Sequence, residues 1–550
     1  MDLRLELDDE EVEYCMEQGI LDHLSDSLSQ ALKSVASSRP SDPFLTLVDL
    51  LKNVGCQNKI LVQGYPVNCV DGVELGVGPI VGEVTENSAI IMIEVKNSKS
   101  ASNLVTCDVY RKGERTVYCN VEKSCPFTTP TAFLIQDLEA NTEYTVVFNG
   151  LDDCCAKNAY ALFKTKQPYK NMKTFKIIAL SCDRPDRMLL GQKNPWYELA
   201  KKSYTADVML HLGDQVYNKG EDNDKTLQIF DSTYDGLGDR EKGKMKKRAR
   251  ALLRKKYRDT WNKKMTKDTL QRGSHLMIWS DNDVANDFTT LKTQDGLQAY
   301  PPAFLQCGIE VYRQYQRILW DPEAIGTLPS DPEEYFSEFH SHVYGPIGIF
   351  LMDMRGNRIT ADGVQQSENE LVSAAQWEAV EEFFRNPQLK VIIIGSEIPF
   401  VGDDPISIKE KAEKVDFLKD HWPYNDEDLV RLLDLAFTWK SQEEDDREVV
   451  FLGGDIHCGV TSVIRDEETD LTITHLTTSP ITNHVCKFFP DLSGRINDRY
   501  SYDHMPLGEN QRNYAEINIT LQPSLSVTSQ LRPVSTNMYK VMEWMSDEEE

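Results

Sequence analysis

Seven short apolar runs, each ending in a group of polar residues, constrain the fold of this chain more than any other feature. Each run has the length of a buried strand, and longer amphipathic or charged stretches separate them. This alternation predicts an α/β fold. The runs occupy residues 175–180, 207–212, 275–279, 347–352, 390–394, 449–452 and 471–476.

The polar residues that follow these runs are mostly oxygen donors. Ligands of open α/β sheets bind beyond the carboxyl ends of the strands, so strands of shared direction would bring these residues to one edge. Asp and Gly are common turn residues, so one such end indicates little, whereas seven together indicate a site. Oxygen donors with one His, one Tyr and one Cys suit iron, manganese or calcium better than a thiolate-rich zinc site. The ends are 181–183, 213–217, 280–283 with Asn286, 353–355, 395–397, 453–457 and 477–479.

Two of the strand ends contain a Gly-Asp pair. Glycine before Asp214 and before Asp455 lets the backbone turn sharply and approach an ion. One Asp carboxylate has enough lone pairs to bridge two cations. Two bridged cations can hold a phosphoryl group and activate water, and Tyr217 could supply a phenolate to a ferric ion. Neither a Ser-His-Asp signature nor a phosphate-binding glycine-rich loop competes with this interpretation.

The strand-end motifs resemble those of the PhoD-like alkaline phosphatases, within the calcineurin-like metallophosphoesterase superfamily. The resemblance implies two packed sheets flanked by helices, with a metal centre at the strand tips that hydrolyses phosphate monoesters or diesters. It implies iron with calcium as the metals, while manganese or zinc stay open. The motifs are Gly213-Asp214-Gln215-Val216-Tyr217, Gly454-Asp455-Ile456-His457, Ala179-Leu180-Ser181-Cys182, the stretch from Trp279 to Asn286, Asp353-Met354-Arg355 and Ser396-Glu397-Ile398-Pro399-Phe400.

Position within these motifs implies a role for each site residue. Asp214 would bridge the metals, with Cys182 and Tyr217 on the iron side. Arg355 would either bind a phosphate oxygen through its fork geometry or form a structural ion pair with Asp353. The implied metal ligands, or residues close to them, are Cys182, Asp214, Tyr217, Asp281, Asn286, Asp455 and His457, and the implied catalytic residues are Asn282, Arg355 and His457.

One residue departs from the family pattern. At the positions of Ser280-Asp281-Asn282-Asp283, family members usually carry Asp-Asp-His-Asp or a similar run, and that His contacts the phosphate and helps to protonate the leaving oxygen. This chain has Asn282, which can form hydrogen bonds but cannot titrate. A general acid contributes about 10²–10⁴-fold in rate, so we expect slow cleavage of esters with poor leaving groups, unless His340 or His342 replaces it. The alternative function is a weak or inactive phosphatase-fold scaffold.

Residues 1–55 show a different, helical pattern. Apolar residues recur at three- and four-residue steps between Ile20 and Val35, and Arg39-Pro40 with Pro43 ends the helix. Residues 28–44 resemble the docking hairpin of the regulatory subunits of cAMP-dependent kinase. That family implies a homodimer that binds an amphipathic helix of another protein. The alternative is a hairpin packed on its own chain.

Period-two strand patterns dominate residues 76–166. The stretch from Phe133 to Tyr144 resembles the strand and tyrosine corner of a fibronectin type III or immunoglobulin-like sandwich. The predicted architecture is therefore a helical hairpin, an all-β domain and an α/β metallophosphoesterase domain with two sheets. Its predicted bounds are 1–55, 76–166 and 172–535, followed by an acidic tail at 536–550.

Charge and hydropathy exclude some functions. Sixty Lys and Arg against 88 Asp and Glu give a net charge of −28, which opposes binding to nucleic acid. The basic segment 239–258 is either a solvated helix face or a patch that attracts an anionic substrate. No apolar run approaches the roughly 18 residues of a membrane span, and the acidic N-terminus lacks a signal-peptide pattern. We therefore predict a cytoplasmic protein, with a cilium as the alternative location.

Overall fold

The computed structural model describes most of the chain from residue 59 onward. The predicted hairpin at residues 1–55 and residues 537–550 of the predicted tail lie outside the described residues. The described ranges are 59–98, 103–189, 192–230, 233–289, 300–324, 328, 338–358, 371–442, 446–486, 491–508 and 511–536.

The described residues divide into two compact units. Their bounds differ from the predicted domains, and the boundaries 76–166 and 172–535 stay predictions. The first unit takes in residues up to Pro79, Ile93–Phe133 and Glu143–Ala161, and the second takes in Ile80–Met92, Leu134–Thr142 and Leu162 onward.

Among the described residues nine strands precede residue 170, and seven of them overlap residues 76–166, where the period-two pattern predicts strands. They form a two-stranded sheet β1-β2, a three-stranded sheet β3-β4-β7 and a four-stranded sheet β6-β5-β8-β9. The assignment to a fibronectin or immunoglobulin-like topology stays a prediction. The strands are β1 Lys59–Val62, β2 Tyr65–Asn68, β3 Val73–Val84, β4 Ala89–Ser98, β5 Leu104–Arg111, β6 Cys119–Ser124, β7 Pro130–Ile135, β8 Glu143–Asn149 and β9 Tyr160–Lys164.

The other thirteen strands that the structure describes form two larger sheets. The five-stranded sheet has the order β12-β11-β10-β21-β22, and the eight-stranded sheet has the order β13-β14-β15-β16-β18-β17-β20-β19. The strands are β10 Thr174–Leu180, β11 Val208–Leu212, β12 His275–Ile278, β13 His340–Tyr344, β14 Ile347–Leu351, β15 Val391–Gly395, β16 Glu448–Gly453, β17 Val460–Asp466, β18 Thr472–Thr477, β19 Ser493–Arg495, β20 Tyr500–Pro506, β21 Gln511–Thr520 and β22 Ser526–Ser535.

Nine α-helices lie among the described residues. The basic segment forms the longest of them, α4, so its prediction as a helix is confirmed. The helices are α1 Asp153–Ala156, α2 Trp196–Lys202, α3 Glu221–Leu227, α4 Asp239–Trp261, α5 Lys264–Leu270, α6 Pro302–Tyr315, α7 Ala374–Phe384, α8 Pro405–Ala412 and α9 Asp426–Lys440. None of the helices that the structure describes combines the length and the apolar character that crossing a bilayer requires.

All seven predicted apolar runs are strands, namely β10, β11, β12, β14, β15, β16 and β18. In the five-stranded sheet β10, β11 and β12 are parallel. In the eight-stranded sheet β14, β15, β16 and β18 are parallel. The mixed α/β prediction is therefore confirmed, and the parallel strands share a direction within each sheet.

Helices cover these sheets through apolar cores. Trp377 of α7 and Leu433 of α9 pack into one buried cluster with Phe350 and Phe451 of the eight-stranded sheet. The inner faces of the two sheets also meet, because a Cβ added at Gly395 of β15 would lie 3.0 Å from Cδ2 of Leu212 of β11. Leu212 is the last residue of its strand, so the carboxyl ends of both sheets lie close together.

Candidate metal centre

The carboxyl ends of four parallel strands bring the predicted metal ligands together. Cys182 follows β10, Asp214 follows β11, Asp281 follows β12, and Asp455 and His457 follow β16. Two sets of donor atoms lie within 4.8 Å of one another, Cys182 with Asp214 and His457, and Asp214 with Asp281 and Asp455. Because Asp214 belongs to both sets, its carboxylate is placed to bridge two cations.

The residues present fit a bound cation. One carboxylate oxygen of Asp214, Oδ1, is buried and has no hydrogen-bond partner among the described residues. A buried polar atom without a partner is unfavourable, and a coordinated cation would satisfy it. Three carboxylates, one imidazole and one thiol form a donor set for a hard or borderline metal.

Tyr217 lies at the first donor set. Its hydroxyl donates to Oδ2 of Asp214 at 2.6 Å, and its oxygen is 3.0 Å from Nε2 of His457. His457 belongs to the same donor set as Cys182. The contact between Tyr217 and His457 therefore agrees with the predicted position of Tyr217 on the Cys182 side of Asp214.

The backbone at the centre is held in an unusual conformation. Cys182, Asp214, Asp455 and His457 have φ values of 60°, 60°, 61° and 54°. Non-glycine residues rarely adopt positive φ, and such strain clusters at functional sites. The surrounding fold therefore fixes the directions of these four side chains.

Both glycines of the Gly-Asp pairs are required by their surroundings. Gly213 has φ 81°, and a Cβ there would lie 2.5 Å from Cβ of Ser280. A Cβ on Gly454 would lie 2.6 Å from the carbonyl oxygen of Leu212. The prediction of a sharp turn holds at Gly213, whereas Gly454 is needed for close approach of the two strand ends.

Electrostatics favour a cation at this position. Burial, followed by the charges of Asp281 and Asp455, raises the pKa of Asp214 well above its usual value. Burial and the neighbouring carboxylates likewise raise the pKa of Asp455. A cation between these groups would offset both the burial and the repulsion.

The two softer donors are also tuned by burial. Burial, with smaller contributions from His484, Lys219 and Arg184, lowers the pKa of His457 to about 3, so its imidazole is neutral and available as a ligand. Burial and nearby carboxylates raise the pKa of the Cys182 thiol well above 9. A coordinated metal would reverse that shift, because it deprotonates a bound thiol.

Asn282 faces the centre from the 3₁₀ helix Asp281–Asp283. Its amide nitrogen donates to Oδ1 of Asp281 at 3.1 Å and lies 3.5 Å from Oδ2 of Asp214. Its amide oxygen is buried and has no partner among the described residues. Asn282 is therefore positioned beside both carboxylates, where it can hydrogen-bond without titrating.

His340 and His342 lie elsewhere. Their ring nitrogens are 2.7 Å apart, His340 also faces the carbonyl oxygen of Met277, and His342 faces Glu83 at 2.6 Å. Both rings are therefore buried and already have hydrogen-bond partners. They therefore give no support to the expectation that one of them replaces the missing family His.

Asn286 contacts the edge of the centre. Its Oδ1 accepts a hydrogen bond from Lys219 at 2.6 Å, and its amide nitrogen donates to Asp287. Asp287 in turn donates its backbone N–H to Oδ2 of Asp281 at 2.6 Å. Asn286 is thus linked to the predicted ligands through Asp287, and its role as a ligand stays a prediction.

Arg355 does not form the side-chain pair with Asp353 that one alternative predicts. Its guanidinium donates to Glu397 at 2.6 Å, Asp420 at 2.7 Å and Thr289 at 2.8 Å. The contact between Arg355 and Asp353 is a hydrogen bond from the backbone N–H of Arg355 to the Asp353 carboxylate, at 2.9 Å. The structural ion pair is present, but its partners are Glu397 and Asp420, which two different chain segments supply.

Asp283 is a positioning residue that the sequence interpretation did not single out. It is buried and accepts the backbone N–H groups of Asp214 at 3.0 Å, Ser280 at 2.9 Å and Val216 at 3.2 Å. It therefore fixes the Asp214 loop against the end of β12. The only local signal is the Ser280–Asp283 capping box, which predicts a helix start but not this cross-strand role.

A second set of supporting residues comes from the segment after β18. The hydroxyl of Ser479 donates to Sγ of Cys182 at 3.1 Å and accepts the backbone N–H of His457 at 3.0 Å. Asn483 lies 3.1 Å from Nε2 of His457, and His484 lies 3.4 Å from its Nδ1. No sequence signal marked Asn483 or His484, because their proximity arises only from the folded sheet.

Comparison with known proteins finds one family and several solved structures to which this chain is similar. The model of the PhoD-like phosphatase family matches residues 177–522. The solved structure of PhoD has 15% sequence identity to this chain and a TM-score of 0.58, and the match covers 85% of this chain and 93% of that chain. At this identity the structural likeness shows the fold alone. No curated protein is significantly similar in sequence.

Two other solved structures match less well. GAP50, the anchor in the inner membrane complex of Plasmodium, is 9% identical with a TM-score of 0.26, covering 68% of this chain and 95% of that chain. The sensor domain of the anti-sigma factor RsgI4 of Pseudobacteroides cellulosolvens is 21% identical with a TM-score of 0.15, covering 18% and 99%. Neither likeness carries an inference about this chain.

Proposed function

Because this chain belongs to the PhoD-like phosphatase family, we propose that it hydrolyses phosphate monoesters or diesters at the centre built around Asp214. Metal-dependent hydrolysis of phosphate esters is the general activity of that family. The observation that carries the proposal is the pair of donor sets that share the Asp214 carboxylate. A shared carboxylate is what two cations acting on one phosphoryl group require.

Cys182, Asp214, Asp281, Asp455 and His457 are the residues that would hold the metals. Bound cations would polarise the phosphoryl oxygens and lower the pKa of a coordinated water. We propose iron with calcium, on the family resemblance, with manganese or zinc as alternatives. The mixed donor set is consistent with a harder and a softer position on the two sides of Asp214.

Other side chains would orient the ligands and the substrate. The Tyr217 hydroxyl donates to Asp214 and so fixes the direction of its carboxylate. The Asn282 amide lies beside Asp214 and Asp281, where its N–H groups can donate to a phosphate oxygen. Since the guanidinium of Arg355 is occupied by Glu397 and Asp420, we assign it to supporting the site rather than to binding phosphate.

Turnover of metal-loaded and chelated protein tests this proposal. We expect hydrolysis of an activated aryl phosphate by the protein loaded with metal, and loss of that hydrolysis after chelation. Metal content is measured on the same samples. A full metal complement without turnover would contradict the enzymatic proposal and would favour the inactive scaffold. The observation behind that alternative is Asn282, which stands where family members usually carry His.

We predict that Asn282→His raises turnover of an alkyl phosphate by about tenfold or more, because a titratable group can then protonate the poor leaving oxygen. Turnover of an aryl phosphate, whose leaving group needs little protonation, should rise much less. The two rates are measured on protein of equal metal content. If the alkyl rate does not rise, the attenuation that we assign to Asn282 is wrong.

For the N-terminal segment we propose a homodimer that docks an amphipathic helix, in the cytoplasm or in a cilium. The support is the sequence resemblance of residues 28–44 alone. Deleting residues 1–55 is expected to halve the mass measured by light scattering and to abolish binding of an amphipathic helical peptide. An unchanged mass would remove this proposal and leave the enzymatic proposal intact.

A further inference from the structure

A cavity of about 280 Å³ adjoins the candidate metal centre. Tyr217, which donates to Asp214 inside the centre, also lines this cavity. The lining also includes the end of helix α4 and Lys263 just beyond it. A group bound in the cavity would therefore lie beside Tyr217, whose hydroxyl contacts the Asp214 carboxylate.

Four basic residues line this Tyr217 cavity, namely Arg184, Lys219, Lys256 and Lys263. Such a concentration is unusual in a chain with a net charge of −28. Lys256 belongs to the basic segment 239–258, for which the sequence left open a role in attracting an anionic substrate. The structure places the end of that segment beside the candidate centre.

The carboxylates of the same lining are each engaged by a donor or a cation. Asp183 accepts through Oδ1 from Thr482 at 2.6 Å and from Trp196 at 3.0 Å, while its Oδ2 is buried without a partner among the described residues. Asp186 pairs with Arg184 at 3.4 Å, and Asp259 pairs with Lys255. The lining has four basic residues and three carboxylates, so its formal charge is slightly positive.

Arg184 is the strongest single indication of an anion site. Its side chain is only 15% exposed, whereas that of its ion-pair partner Asp186 is 68% exposed. The guanidinium also lies 5.3 Å from the centre of the Tyr217 ring. A largely buried guanidinium facing a solvent-screened carboxylate retains a strong attraction for a further anion.

Helix α4 holds its cavity end in a fixed position. Lys246, Arg250 and Arg254 bond to Gln306, Glu310 and Gln314 of helix α6, at 2.8, 2.6 and 2.8 Å. These contacts recur every four residues, so they hold one face of α4 against α6 on three successive turns. Lys256 is therefore presented to the cavity from an anchored helix.

We propose that the Tyr217 cavity binds a second phosphate group of the substrate, so that the preferred substrate is a phosphate ester whose alcohol part carries another phosphate. This inference rests on the proposed function, because the first phosphate must occupy the metal centre. Guanidinium and ammonium groups are the usual protein partners of phosphate. The cavity approaches the volume of small-ligand sites, about 300–1,000 Å³.

Non-hydrolysable phosphonates test the proposal without turnover. Calorimetry on the metal-loaded full chain compares propylphosphonate with α,ω-bisphosphonates of three to six carbons, in about 0.15 M salt to screen distant charges. We expect the best bisphosphonate to bind at least roughly tenfold more tightly than propylphosphonate, which is the effect of one charge-assisted hydrogen bond. In the double variant Lys256→Glu, Lys263→Glu this ratio should fall toward one.

The double variant Lys244→Glu, Lys247→Glu is the matched control. It makes the same change in net charge, both of its residues lie on helix α4 outside the cavity lining, and it should keep the wild-type ratio. A wild-type ratio near one at every chain length, or an equal ratio in the Lys256 variant, would overturn the inference. If propylphosphonate itself fails to bind while metal is present, the proposed function fails instead.

Discussion

Asp214→Asn is expected to remove most of the bound metal and to lower phosphatase turnover by about 10³-fold or more. Asp214 is the one carboxylate in both donor sets, so its loss weakens two positions at once. Several kcal/mol of transition-state stabilisation come from metal ions in such sites, and each 1.36 kcal/mol is tenfold in rate. Metal content by mass spectrometry and turnover of an aryl phosphate measure the two effects.

Stability separates this result from simple misfolding. The Asn side chain carries no charge, so it relieves the repulsion with Asp281 and Asp455 that raises the pKa of Asp214. We therefore expect the chelated variant to unfold at the same or a higher temperature than the chelated wild type. Asp235→Asn, at an exposed position, is the control. Retention of metal and activity by Asp214→Asn would mean that the strand ends are misassigned.

Arg355→Gln is expected to destabilise the protein by about 3–5 kcal/mol at pH 7. The substitution leaves the buried carboxylate of Glu397, at 0% exposure, without its cation, and it removes one guanidinium partner of the buried Asp420, which keeps its pair with Arg358. Urea unfolding measures the change. Arg385→Gln is the matched control, since Arg385 is 62% exposed and pairs with Glu381 on the surface. That pair should contribute less than about 1 kcal/mol.

The same variant distinguishes the two predicted roles of Arg355. A residue whose main role is to bind phosphate would raise KM when substituted and would leave the unfolding free energy nearly unchanged. Because the guanidinium of Arg355 is paired with buried carboxylates, we predict instead a large fall in the free energy of unfolding and a small change in KM. A stability equal to wild type, together with a raised KM, would restore the phosphate-binding role.

The strands and their ends were predictable because both depend on local sequence. A buried parallel strand is a short apolar run, and its end must be polar, so residues such as Asp214 and Asp455 stand out in the sequence. The shared edge then follows from strand direction. The assignment of each residue to a ligand role came from family resemblance. For Asn286 this role stays a prediction, because the side chain contacts Lys219 and Asp287.

The supporting residues could not be predicted, because their roles arise from tertiary proximity. The sequence around Asp283 is that of an ordinary helix-capping residue. In the fold Asp283 binds the loop of Asp214, which is far away in the sequence. Glu397 and Asp420 come from separate segments to meet Arg355. No periodicity or motif encodes which buried carboxylate faces which cation.

Anomalous X-ray diffraction from crystals of the metal-loaded protein tests the central claim most directly. The account predicts strong anomalous density within about 2.0–2.6 Å of the Asp214 carboxylate, shared with donor atoms of Cys182 and His457 on one side or of Asp281 and Asp455 on the other. Two peaks bridged by Asp214 would be the full result. If the folded protein shows anomalous density only at other positions and none at Asp214, this result would contradict the account.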